Sequence, residues 1–298
     1  MKRIPRFDVH KCTLCGRCVA TCPRRVLSIS ADGAVTSSVD ECMLCSHCYV
    51  VCPAGAVSFD PAHLEEPRFT TFKYRAHVVP PAGINPALLV NAVRSRRSVR
   101  SFKDKSVSDA ILHDLVSFAA TAPSGSNCQS WHFLVLNGRD KVLALGRRIE
   151  RFFIRLNRIA ANPIIRYLSV LFVGRALLKY RRDHMASVEM GLREAAKGRD
   201  PLFHGAPALI IAHGPLEGST PLEDAQFATY HIALLAHAFG LGTCYIGYAV
   251  EAINRNASIK SFLSIPSAHR VLAVLAVGYP DVKYYRLALR KPFPLRFL

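Results

Sequence analysis

Eight of the ten cysteines in this 298-residue chain fall into two runs of identical spacing. They are Cys12-x2-Cys15-x2-Cys18-x3-Cys22-Pro23 and, thirty residues on, Cys42-x2-Cys45-x2-Cys48-x3-Cys52-Pro53. A thiolate at every third residue lets one loop wrap three corners of an iron–sulfur cubane, and the proline after the fourth cysteine turns the chain away. Structural zinc needs four ligands per ion rather than so long a run, and a secreted disulfide framework is the other competing use. Against export, Met1 to Lys11 carries charges and Pro5 where a signal peptide needs an apolar stretch. Reduced thiols in a cytoplasmic setting are expected.

These runs resemble those of bacterial two-cluster ferredoxins. The resemblance implies that Cys12, Cys15, Cys18 and Cys52 hold one [4Fe-4S] cluster, and Cys42, Cys45, Cys48 and Cys22 the other, the fourth cysteine of each run crossing over. The expected setting is an anaerobic one, because oxygen damages exposed cubanes.

The chain is several times longer than such a module, and its 50% hydrophobic content supplies a second, larger core. Residues 1–60 hold seven Lys/Arg against five Asp/Glu, so only +2 of the net +18 lies there and +16 falls on residues 61–298. Pro61, Pro67, Pro80, Pro81 and Pro86 punctuate a stretch without periodicity, which reads as an extended connector over residues 61–85. The expected organisation is therefore an electron-carrying domain at 1–60, a Pro-rich linker at 61–85 and a larger domain at 86–298.

The elements of that larger domain alternate. Helical periodicity runs through Ala87 to Arg94, and Ser108 caps a second helix. Trp131 to Leu136 predicts a strand, Asp183 to Lys197 a helix and Ala208 to Ala212 a strand. Leu222 to Phe239 predicts a helix ended by Gly240 and Gly242, followed by strands at Cys244 to Tyr248 and Val271 to Val277. The fold class is α+β. Gly240-x-Gly242 lacks a third glycine and follows a helix, so a Rossmann nucleotide site is not expected.

Four segments resemble the nitroreductase family of FMN enzymes: Arg96-Arg97-Ser98-Val99-Arg100-Ser101-Phe102, Ala122-Pro123-Ser124-Gly125-Ser126-Asn127-Cys128-Gln129-Ser130-Trp131, Gly240-Leu241-Gly242-Thr243-Cys244-Tyr245-Ile246-Gly247, and Gly278-Tyr279-Pro280 with Arg290-Lys291-Pro292. The resemblance implies a mixed sheet flanked by helices behind the two-cluster ferredoxin fold. It also implies a homodimer with FMN at the subunit interface, although only seven residues follow Lys291, few for the tail exchange seen in many relatives. An FMN phosphate needs cations and hydroxyls, which Arg96, Ser98 and a distant Arg290 or Lys291 supply, with Arg97 nearby. By similarity Arg100 lies beside the flavin pyrimidine, where a fixed positive charge raises the cofactor's potential. Asn127 and Gln129, on the loop with Pro123 and Ser124, would meet the polar edge of the isoalloxazine, since an amide matches both its donors and its acceptors. Backbone at Tyr245, Ile246 and Gly247 would face the other edge. Cys128 and Cys244 read as small buried residues rather than reactive thiols, and neither is needed as a cluster ligand. His10, His132, His204 and His231 show no metal-ligand spacing and read as structural.

Residues 147–183 hold ten Lys/Arg against two acidic residues. Arg148, Arg151, Arg155 and Arg158 share one helical face and Ile149, Phe152, Phe153 and Leu156 another. The apolar run Leu168 to Val173 is too short to span a bilayer. Three readings stand: a lid over the substrate pocket, peripheral contact with an anionic membrane, and a docking site for an acidic redox protein. The basic charge attracts polyanions, but no motif supports specific nucleic-acid binding. The expected activity is reduction of a small planar acceptor, such as a nitroaromatic or quinone, by hydride from flavin N5. Electrons would be fed through the clusters from a ferredoxin-like donor or come from a nicotinamide. The alternative is an electron-transfer component that serves a partner protein. No catalytic acid is evident.

Overall fold

The computed structural model describes residues 4–37 and 42–298. The N-terminal unit is small and internally repeated: β1 (Arg6–Phe7), α1 (Arg17–Thr21), β2 (Leu27–Ile29), β3 (Val35–Ser37), α2 (His47–Val50) and β4 (Val57–Ser58). β1 pairs antiparallel with β4 and β2 with β3. Each cysteine loop winds through two left-handed residues at equivalent places, Leu14 and Gly16 in the first run, Leu44 and Ser46 in the second. These kinks curl each loop and lead it into a short helix. Only Gly16 adopts that conformation without steric cost. The core is Val26, Leu27 and Val57, packed against Cys48.

Residues 61–85 form neither helix nor strand, yet they are pinned. The backbone N–H groups and hydroxyls of Thr70 and Thr71 all donate to the carboxylate of Asp114, at 2.6–3.1 Å. Phe72 packs edge-on against Phe239 with ring centroids 5.8 Å apart. The connector thus lies along the larger unit rather than swinging free of it.

That unit opens with α3 (Pro86–Ser95), capped by Asn85, whose Oδ1 accepts from Ala87 N and Leu88 N. The rest runs α4 (Asp109–Ala119), β5 (His132–Asn137), α5 (Arg139–Ala161), α6 (Pro163–Leu168), α7 (Val170–Val173), α8 (Ala176–Asp183), α9 (Met185–Ala196), β6 (Ala208–Gly214), α10 (Pro221–Ala238), β7 (Gly242–Tyr245), α11 (Gly247–Arg255), α12 (Ala257–Phe262) and β8 (Arg270–Gly278). The sheet order is β5-β6-β8-β7, and every strand pair is antiparallel. A parallel bridge from Ser98 to Thr243 makes the sheet mixed.

The strand period of two sends alternate residues to opposite faces. Leu209, Ile211 and Val274 pack with Val142, Leu145 and Ile149 of α5, whereas Ile210, Ala273 and Leu275 pack with Leu115 of α4 and Ile232 of α10. Both faces are covered by helices, which is why β6 and β8 read as unbroken apolar runs.

Three local expectations shift. The strand expected at Cys244 to Tyr248 ends at Tyr245, because Gly247 already opens α11. The helix expected from Asp183 starts at Met185, since Asp183 closes α8. The basic segment starting at Arg147 begins inside the continuous helix α5, whose earlier residues Val142 and Leu145 are fully buried.

Candidate functional site

In the N-terminal unit the thiols of each run face one another: the Cys18 thiol is pushed up by burial and then by the charges of Cys12 and Cys15. Burial, then Cys42 and Cys45, push the Cys48 thiol up to about 11. Cys22 lines the same small cavity as Cys42, Cys45 and Cys48, so the fourth cysteine of the first run sits with three of the second. The grouping of these cysteines, with Cys18 and Cys48 costly to ionise alone, suits an iron–sulfur group, whose ferric charge stabilises the thiolates. Among the described residues no three ligands close on a single metal ion. Cys52 Sγ accepts from Ala56 N at 3.3 Å, a hydrogen bond of the kind that tunes cluster sulfurs.

In the larger unit, residues 96–103 run along the sheet edge. Val99 N donates to Thr243 O at 3.0 Å, Lys103 N to Tyr279 O at 2.9 Å, and Ser98 bridges Thr243. The close approach needs glycine at 242, where a Cβ would overlap Val99 Cβ at 2.8 Å. The first and third motifs are thereby laid side by side. The arginines' positive field reaches Cys244: burial raises that thiol, and Arg100 and Arg96 oppose the rise. Arg100 likewise acts on His204, which burial holds below the usual imidazole range. Arg96 Nε is buried without a hydrogen-bond partner, and its guanidinium lies 6.0 Å from the Tyr230 ring. A buried cationic donor left open beside Ser98 fits an anionic phosphate.

The second motif is a tight loop held against the start of α10. Gly125 N donates to Asp224 Oδ1 at 2.9 Å, and Ser124 Oγ accepts from Gln129 N at 3.1 Å. Further along α10, Thr229 accepts from the Tyr245 hydroxyl at 3.0 Å. Asp224 and Tyr230 are separated by roughly 9 Å of helix rise, so α10 forms a floor between the loop and Arg96.

Asn127, expected at the flavin edge, spends its amide protons on Met43 O and Leu44 O, at 3.2 and 3.0 Å, inside the second cysteine run. Its Oδ1 accepts from Gln129 Nε2 at 3.1 Å. Nothing in the sequence announces Met43 and Leu44 as partners, because their contribution is backbone carbonyl. Pro123 and Gln129 are exposed, as are Tyr245 and Gly247, and Ile246 is buried. Cys244 is buried, but Cys128, expected buried, is exposed on the loop surface. His132 is exposed rather than a core residue; its ring lies 4.7 Å from His269 and 5.6 Å from His213. Arg97 faces the chain's end, 5.9 Å from the Tyr284 ring. Arg290 and Lys291 are exposed and, among the described residues, make no hydrogen bond or ion pair with Arg96 or Ser98.

Between α5, α9 and Tyr248 lies a cleft of about 480 Å³, mostly apolar, with Arg147, Glu150 and Asp200 on its wall. Tyr248 directly follows the third motif, so the cleft adjoins it along α11. No helix among the described residues is long and apolar enough to cross a membrane.

A model of the nitroreductase family matches residues 93–279, and one of the 4Fe-4S dicluster domain matches residues 4–64. The chain is similar to the 4-nitrobenzoate reductase of Nocardioides sp. (strain LMS-CY), 28% identical over 204 residues, covering 64% of this chain and 80% of that protein. It is also similar to the 4-nitrobenzoate reductase of Pseudomonas putida, 28% identical over 214 residues and covering 67% and 88%. A nitroreductase from Bacteroides fragilis NCTC 9343, solved with bound FMN, shares the fold: TM-score 0.54 at 21% identity, over 72% of this chain and 100% of that one. The ordered motifs, the sheet that brings them together and the match over most of the larger unit agree: the chain belongs to the nitroreductase family, an FMN-dependent oxidoreductase with a 4Fe-4S ferredoxin domain at its N-terminal side.

Proposed function

We propose that this protein carries two [4Fe-4S] clusters and passes their electrons internally to FMN for reduction of a small planar acceptor, a nitroaromatic or a quinone. The observation that carries this reading is the Asn127 bridge: one side chain joins the cysteine loop at Met43–Leu44 to the flavin-type loop. In the proposed ligand sets, Cys12, Cys15, Cys18 and Cys52 hold the outer cluster, and Cys42, Cys45, Cys48 and Cys22 the one nearer the flavin. FMN, when bound, accepts electrons singly and delivers them as hydride from N5.

The chain's own residues divide the remaining work. Arg96 and Ser98 hold the phosphate, and Arg100 supplies positive charge at the ring. The Pro123–Gln129 loop and the Tyr245–Gly247 backbone flank it, with Gln129 steadied by Asn127. Arg290 and Lys291, on an exposed tail, are the further cations proposed for the phosphate clamp. The mostly apolar cleft beside α5, with Arg147, Glu150 and Asp200 on its wall, is of a size that suits a small acceptor.

The test is anaerobic reduction followed at the flavin band, with a reduced ferredoxin or NADH as donor, in wild type and in Cys48→Ala. The reading requires that the ferredoxin bleach the flavin in wild type at least tenfold faster than in Cys48→Ala, at equal flavin content. Equal rates in the two proteins would remove the clusters from the path. Absence of steady turnover with nitroaromatics and quinones would instead favour an electron-transfer component serving a partner protein.

A further inference from the structure

The segment between β5 and β6 does two different things. Its first helix, α5, buries Ile149 and Phe153 in the core and walls the cleft. Beyond Ala161 the chain turns away: α6 buries none of its residues, and Val170, Leu171 and Phe172 of α7 are not buried either. Instead they present large apolar side chains to solvent: Ile164 at 69%, Tyr167 at 64%, Leu171 at 80% and Phe172 at 86% exposure.

This tip is built, not loose. Asn162 caps α6 by accepting from Ile165 N at 3.2 Å. Arg166 Nη1 reaches back to donate to Ala160 O at 2.9 Å. The return helix α8 is tied to α5 through the Tyr180 hydroxyl, which donates to Asn157 Oδ1 at 2.5 Å. The framework therefore holds four large apolar groups in water, an arrangement that means a surface covers them in use.

Charge says which surface. Of the ten Lys/Arg in residues 147–183, Arg182 alone forms an ion pair among the described residues, with Asp183. Arg155, Arg158 and Arg175 flank the tip and, among the described residues, form no ion pair; Lys179 beside them lies in the field of Asp183. A second copy would bring the same cations face to face, which opposes self-association. A rigid protein partner needs a pocket to receive side chains that protrude this far. A lipid surface yields around them, takes Ile, Leu, Phe and Tyr at its interface and supplies negative charge to the cations.

We propose that the α6–α7 tip is a monotopic docking element for anionic phospholipid, inserting Ile164, Tyr167, Leu171 and Phe172 while the flanking arginines contact headgroups. The element packs on α5 and α8 and contains none of the residues assigned to the flavin or the clusters, so this proposal does not rest on the function proposed above.

The test is co-sedimentation of the holoprotein with vesicles of phosphatidylcholine mixed with phosphatidylglycerol, and with phosphatidylcholine alone. Each cation near an anionic surface is worth roughly a fivefold gain in binding. Binding to the mixed vesicles is therefore expected to exceed that to neutral ones by at least about tenfold, and to fall with added salt. Leu171→Glu/Phe172→Glu should lose most of the binding while keeping flavin and cluster content, since both side chains are exposed. As a readout of insertion, Phe172→Trp should shift to the blue and be quenched by brominated lipid. Equal binding to neutral vesicles, or full binding by the double Glu variant, would overturn the proposal. So would an elution volume that reports a larger oligomer which the double variant dissolves, because the tip would then be an interface between copies. Absence of vesicle binding, with salt-sensitive binding of an acidic ferredoxin lost in the double variant, would assign the tip to a redox partner instead.

Discussion

Asp114 anchors the connector to the larger unit, and its replacement is the sharpest test of that attachment. The side chain is 0% exposed. Burial pushes its carboxyl pKa up, but the four donors of Thr71 and Thr70 outweigh burial and bring it down to about 2 from 3.8. A shift of that size is worth about 2 kcal/mol, at 1.36 kcal/mol per pH unit. The sign follows from the depressed value: the contribution is complete above the unfolded pKa and disappears as pH falls from about 4 towards 2. Asp114→Asn removes the charge at neutral pH and turns an amide donor towards Thr donors, so its loss should at least equal about 2 kcal/mol. At 2–4 °C per kcal/mol for a domain of this size, melting should drop by about 4–8 °C. Trp131, the one tryptophan, reports the transition of the larger unit. The connector itself should open first, so trypsin should cut at Lys73 and Arg75 many times faster in the variant. An Asn variant that melts within about 1 °C of wild type and resists trypsin equally would show that the connector is held by something other than this carboxylate.

Three further outcomes follow from single features. Asn127→Ala removes two hydrogen bonds between the units, together about 1–3 kcal/mol; stopped-flow flavin reduction through the clusters should slow about 5- to 150-fold with flavin content unchanged, whereas flavin loss would assign the amide to the cofactor instead. Gly242→Ala forces a methyl group into Val99 and should cost about 1–3 kcal/mol, weakening FMN retention on gel filtration without altering the cluster absorbance. Burial, then His269, His132 and Lys260, hold the His213 pKa at about 4. Its neutral form is thus native, and stability should fall as pH drops from 6.5 towards 4, by up to about 3 kcal/mol. Trp131 fluorescence melts should show that dependence flattened in His213→Phe.

Legibility in the sequence followed how local the chemistry was. The cysteine runs could be read because all but one ligand of each proposed set lies within one short loop, and loop geometry alone dictates the spacing. α3 was legible from the helical periodicity of Ala87 to Arg94, and α4 from Ser108, whose side chain caps the backbone three residues on. β6 and β8 were legible because burial on both faces leaves no polar residue to break the run. α11 and α12 were not, being short helices that begin straight after a strand or another helix.

What local pattern could not convey is everything that joins segments distant in the chain. Residue type and order alone were enough to specify two cysteine cages, a flavin-type motif set in the right sequence and a basic segment with an apolar run. They did not say that Asn127 grips the backbone of Met43 and Leu44, 84 and 83 residues earlier. Nor did they say that Asp114 clamps Thr70 and Thr71, or that the basic segment splits into a buried wall and an exposed tip. Carbonyl acceptors have no side-chain signature, and whether an apolar residue meets core or water depends on what the rest of the chain has already covered. Those relations exist only once the sheet has set the distances, because hydrogen bonds and burial act over a few ångströms of space and not along the chain.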